Sequence, residues 1–449
     1  MACYLENIKQ LNKRTKMITI NLYFKQAWQL MKQNRFFSAV YIIGTGLAIS
    51  MVMVLAVVYY IRTANIAPEI HRDRMCYLDF VIYKYNEGNG SYSSSLGIRY
   101  VKDVVLTLKK PEAIAITTSP IYQYFQGGEM FASVAGNDDE AKISYMGCND
   151  VFWKVYEFHF LYGKPFTESD FESGLKTVVL CRSMARKLFG KEDVIGQTVM
   201  LNEVEYRVCG VVEDVSGTLE HTYSQAWVPY TSMSNVITES VDERENTVGK
   251  LQANILLRDK HDITAVQAEL EEAVKRYNTT LVGGQVTDPK IKPVTLTIMG
   301  VSSSKAYLAI ILFLLLFLLV PALNISGLNA SHIQDRMEEI GIRKAFGAPR
   351  GTLFMQIFVE NLILMFPGSL AGLLFSYGLV DLYKNILLAN SYQQFITEEA
   401  DVITLSAGML MNWQVFLYAV TVCLLLNLLS SMVPVWNAIR ENIVSALNK

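Results

Sequence analysis

Apolar positions gather into four long runs, and the stretch between the first and second is patterned like a soluble fold. The first run, FFSAVYIIGTGLAISMVMVLAVVYYI at 36–61, carries no charge. As a helix it would be about 39 Å long, enough to cross a bilayer with tilt. The second occupies 305–330, with Lys305 at one end and Pro321, Asn324, Ser326 and Asn329 at the other; that polar end is expected to pack against other helices. The third, 352–380, holds Glu360 and the pair Pro367-Gly368, where a kink is expected. The fourth is 413–436. Ahead of them Tyr23, Phe24, Ala27, Trp28 and Met31 recur at helical spacing, predicting an amphipathic helix that lies on the membrane surface. Residues 1–16 are polar and basic with no apolar signal core, so Met17 is an alternative start.

Residues 62–304 predict a separate α+β domain. An alternating stretch at 75–85, a helical stretch over 96–109 and an apolar stretch at 113–125 make one βαβ unit. KLQANILLR (250–258), the helix ITAVQAELEEAVKRYN (263–278) and PVTLTIMG (293–300) make a second. Two such units predict a ferredoxin-like sheet with a mixed α/β insertion at about 126–245. Inside the insertion the pattern predicts a helix and a Gly163-Lys164-Pro165 turn, then the strand TVVLC, the helix SMARKLFG and a hairpin turning at Asn202-Glu203.

Composition supports the membrane reading: 51% of residues are hydrophobic, only 18% are charged, and mean hydropathy is +0.24. The net charge of -2 conceals an asymmetry, since the first 35 residues carry seven Lys or Arg against one acid. Positive charge also marks the 331–351 segment and the 437–449 tail, while the 381–412 loop is mostly acidic. This distribution predicts both termini in the cytoplasm and the large domain outside. It does not suggest nucleic acid as a partner. Four of the six cysteines (Cys76, Cys148, Cys181, Cys209) lie in the large domain, without metal-ligand spacing. Buried free thiols are the expected state, and a Cys181–Cys209 disulfide is the alternative.

Between the second and third runs lies RMEEIGIRKAFGAPRGTLFMQ, residues 336–356. Arg336, Glu339, Arg343 and Lys344 recur at roughly helical spacing, Met337, Ile340, Ile342, Ala345 and Phe346 fill the other faces, and Gly347 with Pro349 ends the helix. A short charged helix between two membrane spans is expected to touch a partner. Several acids interleave with the bases there, and membrane topology alone does not require acids. The chain has no G-x-x-x-x-G-K-[ST], because Gly163-Lys164, Gly190-Lys191 and Gly249-Lys250 lack the preceding glycine and the following hydroxyl. It has no HExxH or GxSxG, and its histidines (71, 159, 221, 261 and 332) are scattered. Glu360, an acid inside a span, is read either as a relay group or as a buried structural hydrogen bond.

EEIGIRKAFGAPRGTLFMQIFVENLIL resembles the cytoplasmic segment of FtsX-like permeases of the MacB/LolE type, and VFWKVYEFHFLYGKPFTESD, TVVLCRSMARKLFG and IGQTVMLNEVEYRVCGVVEDV resemble that family's periplasmic core domain. The resemblance covers nearly the whole chain. It implies an inner-membrane permease that is not itself an enzyme and holds no cofactor, with ATP and Mg²⁺ bound by a separate ABC ATPase subunit. It further implies a second permease chain, and a periplasmic adaptor and outer-membrane channel as further partners. Arg336, Glu338, Glu339, Arg343 and Lys344 become the polar contacts to the ATPase, with Ile340 and Phe346 as an apolar plug. Two functions compete: export or extraction of a periplasmic peptide, drug, toxin or lipoprotein, and activation of an external partner such as a cell-wall hydrolase.

Overall fold

The computed structural model describes residues 35–294 except 89, 120–129 and 135–139, most of 342–388, and 413–425 except 423, together with a few isolated positions. The amphipathic helix expected from Ile20, nearly all of the second span and the tail fall outside the described residues. The chain divides into two compact units, Ile61–Tyr307 with Lys384–Ser406, and the remainder.

In the second of these units, the first apolar run forms helix α1 (Arg35–Thr63), whose 38–63 portion is long and apolar enough to cross a membrane. Thr45 returns its hydroxyl to the Tyr41 carbonyl at 2.8 Å, and Tyr41, Ile49 and Met53 are buried. Gly46 faces Gly368 and Gly372 of the later helix, where a Cβ on Gly372 would sit 2.5 Å from the Gly46 carbonyl. This backbone-to-backbone approach is the small-residue packing that lipid-embedded helices use. A shorter apolar helix covers Trp413–Val422.

The other unit is built on strands. In chain order these are β1 (Met75–Leu78), β2 (Val81–Tyr85), β3 (Ser91–Leu96), helix α2 (Ile98–Asp103) and β4 (Ala113–Thr118). There follow β5 (Phe131–Ser133), β6 (Ala141–Lys142), β7 (Tyr145–Cys148), β8 (Phe160–Gly163), β9 (Thr177–Cys181), β10 (Thr198–Leu201), β11 (Val204–Val212) and β12 (Ala226–Pro229). Last come β13 (Val248–Gly249), β14 (Leu251–Leu256), helix α3 (Ile263–Asn278), β15 (Gly284–Thr287) and β16 (Lys292–Pro293).

Four strands stand in the order β16-β1-β14-β4, every neighbouring pair antiparallel. Hence β1 and β4 run parallel with β14 between them, and α2 makes the crossover; α3 does the same from β14 to β16. β14 is buried at every position, as befits a central strand. α3 matches its expected bounds and turns Val266, Leu270, Ala273, Val274 and Tyr277 inward, the one-sided stripe of an amphipathic helix.

The alternating stretch at 75–85 is not one strand. It breaks at Asp79-Phe80, because β1 pairs with β14 and β16 while β2 pairs with β3 and β15. The helical stretch expected over 96–109 is shorter, with α2 followed by a 3-10 turn at Val105–Thr107.

The segment between β4 and β14 extends the sheet through β7-β12-β9-β11-β10-β5-β6. Its core is aromatic: Trp153 lies 5.1 Å from Phe158, 5.6 Å from Phe166 and 6.2 Å from Trp227, ring centre to ring centre. The expected hairpin forms with Leu201 opposite Val204, and Asn202 and Glu203 take φ of 45° and 66°, the primed-turn geometry that two-residue hairpins require. Cys76, Cys148, Cys181 and Cys209 are free thiols, so the disulfide alternative is corrected. Cys181 pairs with Val212 on the parallel strands β9 and β11, and Cys209 lies at the bulge between Val208 and Gly210. That offset of three residues is about 10 Å along the strand, beyond disulfide reach. Burial raises the thiols of Cys181 and Cys209 to about 12, which leaves them unreactive near neutral pH.

Helix α4 (Arg350–Leu387) carries the third run and includes Pro367. The external loop expected from 381 begins later, since the helix continues through Asp381 and Lys384 to Leu387. Leu382, Tyr383 and Ile386 sustain the helical apolar pattern past the expected end at 380.

Candidate functional site

The residues singled out in the sequence lie just before α4. Ile342 and Arg343 are helical, the Phe346 amide donates to the Ile342 carbonyl at 3.1 Å, and Gly347 takes φ +85°. Only a residue without a Cβ enters that left-handed region cheaply, so the helix ends there, one turn before Thr352 donates to the Pro349 carbonyl to open α4. Phe346 is 88% exposed and Ile342 49%, and four-residue spacing puts them on one face. Arg343 is half-buried. Arg336, Glu338, Glu339, Ile340 and Lys344 lie outside the described residues, as does the side chain of Glu360. Ile342, which fills one of the other helix faces by its spacing, stands with Phe346 at the surface; the signal is the i, i+4 apolar pair directly before the glycine stop.

A second arrangement escaped the sequence reading. Just past α1, Arg72 Nε donates to Glu69 Oε2 at 2.6 Å, and both side chains are only 1% exposed. Arg72 Nη1 also donates to the Ile61 carbonyl at 2.8 Å and the Ala64 carbonyl at 3.2 Å. Thr222 Oγ1 donates to Glu69 Oε1 at 2.9 Å. Burial alone would raise the Glu69 carboxyl, but the Arg72 charge and the hydrogen bonds from Arg72 and Thr222 outweigh it and hold the pKa below its ordinary value. Beside the pair, the His221 ring stacks on Tyr77 at 3.5 Å between centres. Burial lowers the His221 pKa against the opposing pull of Glu220 and Glu69, which keeps the ring neutral. Nearby in sequence, burial pushes Asp79 up to about 6 despite Lys292. The available signal was an acid and a base at i, i+3 in APEIHRDR, immediately after a span.

The same unit carries a polar cleft of about 290 Å³ lined by Tyr92, Ser94, Asn235, Arg244, Glu245 and Lys250 among others. The Arg244 guanidinium sits 5.2 Å from the centre of the Tyr92 ring.

Residues 38–273 match the MacB-like periplasmic core domain, and residues 311–443 match the FtsX-like permease C-terminal domain. The uncharacterized ABC transporter permease YknZ of Bacillus subtilis is 25% identical over 324 residues, 69% of this chain and 71% of that protein. The pyoverdine export ATP-binding/permease protein PvdT of Pseudomonas syringae pv. syringae is 24% identical over 360 residues, 79% of this chain but 51% of that protein. The chain thus spans about half the length of the pyoverdine exporters it matches. The crystallised extracellular domain of a noncanonic ABC-type transporter YknZ from Gram-positive bacteria aligns with 47% of this chain and all of that one, at 17% identity and a TM-score of 0.32; so distant a likeness carries no weight.

Proposed function

We propose, for a chain that belongs to the MacB/FtsX-like family of ABC transporter permeases, that it is the membrane subunit of a mechanotransmission complex. A separate ABC ATPase docks on residues 336–348 and its ATP-driven motion passes through the spans to the large external domain. The external domain drives export or extraction of a substrate already outside the membrane, of the peptide, drug, toxin or lipoprotein class. The observation that carries this reading is the exposed Phe346, held with Ile342 at the end of a helical turn that Gly347 closes. Phe346 at 88% and Ile342 at 49% exposure form an apolar pair beside a membrane span, which supports a partner contact there. Arg336, Glu338, Glu339, Arg343 and Lys344 supply the polar contacts around it, and Ile340 joins the apolar plug. These 449 residues carry no P-loop motif, so ATP-driven motion has to come from an ATPase outside them.

In this reading the chain has four spans, both termini lie in the cytoplasm, and the large domain is periplasmic, beyond the inner membrane. A second permease chain completes the membrane part, and a periplasmic adaptor and outer-membrane channel receive the substrate. The β16-β1-β14-β4 order supports a ferredoxin-like core, with β5 to β12 carried as an insertion. Export is favoured over activation of an external hydrolase by the match to the MacB-like core over 38–273, and relatives named for pyoverdine and macrolide export point the same way. Purification of the full chain from its native membrane distinguishes the two. An ATPase with an adaptor supports export, an ATPase with a cell-wall hydrolase supports activation, and no ATPase overturns both.

A further inference from the structure

Two arginines each meet the C-terminal end of a different long helix. Arg72 Nη1 donates to the carbonyl of Ile61 in the last turn of α1 and to that of Ala64 just past it, at 2.8 Å and 3.2 Å. Arg62 Nη2 donates to the carbonyl of Leu387, the last residue of α4, at 3.2 Å. A helix leaves its final four carbonyls without internal partners, and its C-terminus carries about half a negative charge, so a guanidinium is well matched to both ends. Neither arginine is local to the end it meets in the way a capping glycine is. Arg62 reaches across 325 positions in sequence, and Arg72 reaches back 11.

The contacts form one connected path. Leu387 is held by Arg62, Arg62 sits in the last turn of α1, that turn is held by Arg72, Arg72 by Glu69, and Glu69 by Thr222. Arg62, Glu69, Arg72, Glu220, His221 and Leu388 close around one small gap. Thr222 belongs to the connection from β11 to β12, and β12 lies inside the sheet, between β7 and β9. A buried ion pair contributes little net stability compared with apolar residues of the same volume. What it supplies is direction. Hydrogen bonds to named carbonyls fix the two helix ends relative to the β11–β12 connection, where apolar packing would let them slide.

We propose that Arg62, Arg72 and Glu69 are positioning residues of a joint through which displacement of the spans is delivered to the 213–225 connection and so to the sheet. The inference rests on the permease reading for the origin of the displacement, and it assigns the residues that pass it on.

The test uses the full chain in lipid nanodiscs with its co-purifying ATPase, following hydrogen–deuterium exchange with and without ATP and Mg²⁺. The doubly substituted Glu69→Gln/Arg72→Met chain leaves no unpaired buried charge and is expected to fold, which wild-type protection of β14 checks. Arg62→Met, which removes the Leu387 contact and leaves the Glu69–Arg72 pair in place, is the second variant. In the wild type, ATP is expected to change exchange across 213–225. In both variants ATP hydrolysis persists and that ATP-driven change is lost. Variants that keep the wild-type change, or a wild type that hydrolyses ATP with no change at 213–225, overturn the joint. A wild type with which no ATPase co-purifies overturns the permease reading itself.

Discussion

The turn before α4 and the ion pair after α1 solve opposite problems with similar residue types. At the turn an aromatic ring is left in the open, a backbone glycine cuts the helix short, and Arg343 is only half-buried. After α1, Arg72 and Glu69 are sealed, and the bonds described above tie them to two backbone carbonyls and a hydroxyl. An exposed charge contributes specificity toward a partner at little cost, whereas a buried one costs desolvation and is tolerated only when fully paired. Charge at a membrane boundary therefore reads as a surface in one place and as an internal joint in the other, and burial distinguishes them.

The largest effect is expected where that contrast is sharpest. Arg72→Met alone strands the Glu69 carboxylate and should cost about 3–5 kcal/mol in denaturant unfolding of the large domain. Adding Glu69→Gln should recover most of it. A small loss in the single variant would mean that the pair is hydrated and is no joint. Next, Gly372→Leu drives a side chain into the Gly46 backbone and should cost about 1–3 kcal/mol, read as a lower melting temperature of the full chain in detergent.

A third effect depends on pH. His221 has a lowered folded pKa, so its contribution is complete above the unfolded value of about 6.5 and fades as pH falls below it. Asp79, raised to about 6, acts in the opposite sense: its contribution is present below the unfolded value and is lost as pH rises through 6. Replacing His221→Phe should therefore remove the acid-side loss below 6.5 and leave stability that declines as pH rises toward 6. Unchanged pH dependence in urea titrations would place the ring in water. The smallest effect belongs to Lys290→Ala, which breaks an exposed pair with Asp288 and should shift stability by about 0–1 kcal/mol. A larger shift would blur the distinction between surface and joint.

Much of this was legible in the sequence wherever one local rule decided the outcome. The α3 stripe, the Asn202-Glu203 hairpin and the Gly347 stop each follow from spacing or from a backbone conformation that few residues adopt. The split of 75–85 into two strands was not, because alternation is the same whether neighbouring residues pair with β14 or with β3, and partner choice is a long-range matter. The end of α4 was misplaced because Asp381 and Lys384 read as a loop, although a helix carries charge on its outer face without breaking. The Glu69–Arg72 joint was hidden for a related reason. Its value lies in reaching Ile61 and Thr222, and no spacing rule connects position 69 to position 222.

The measurement that bears most directly on the whole account is co-purification of an ATPase with the full chain, wild type against Arg343→Glu/Lys344→Glu. The wild type should bring down a P-loop ATPase at a fixed ratio, and the doubly reversed chain should insert in the membrane, keep its external fold and lose that subunit. Normal yield of the complex from the reversed chain, or no ATPase with the wild type, would contradict it.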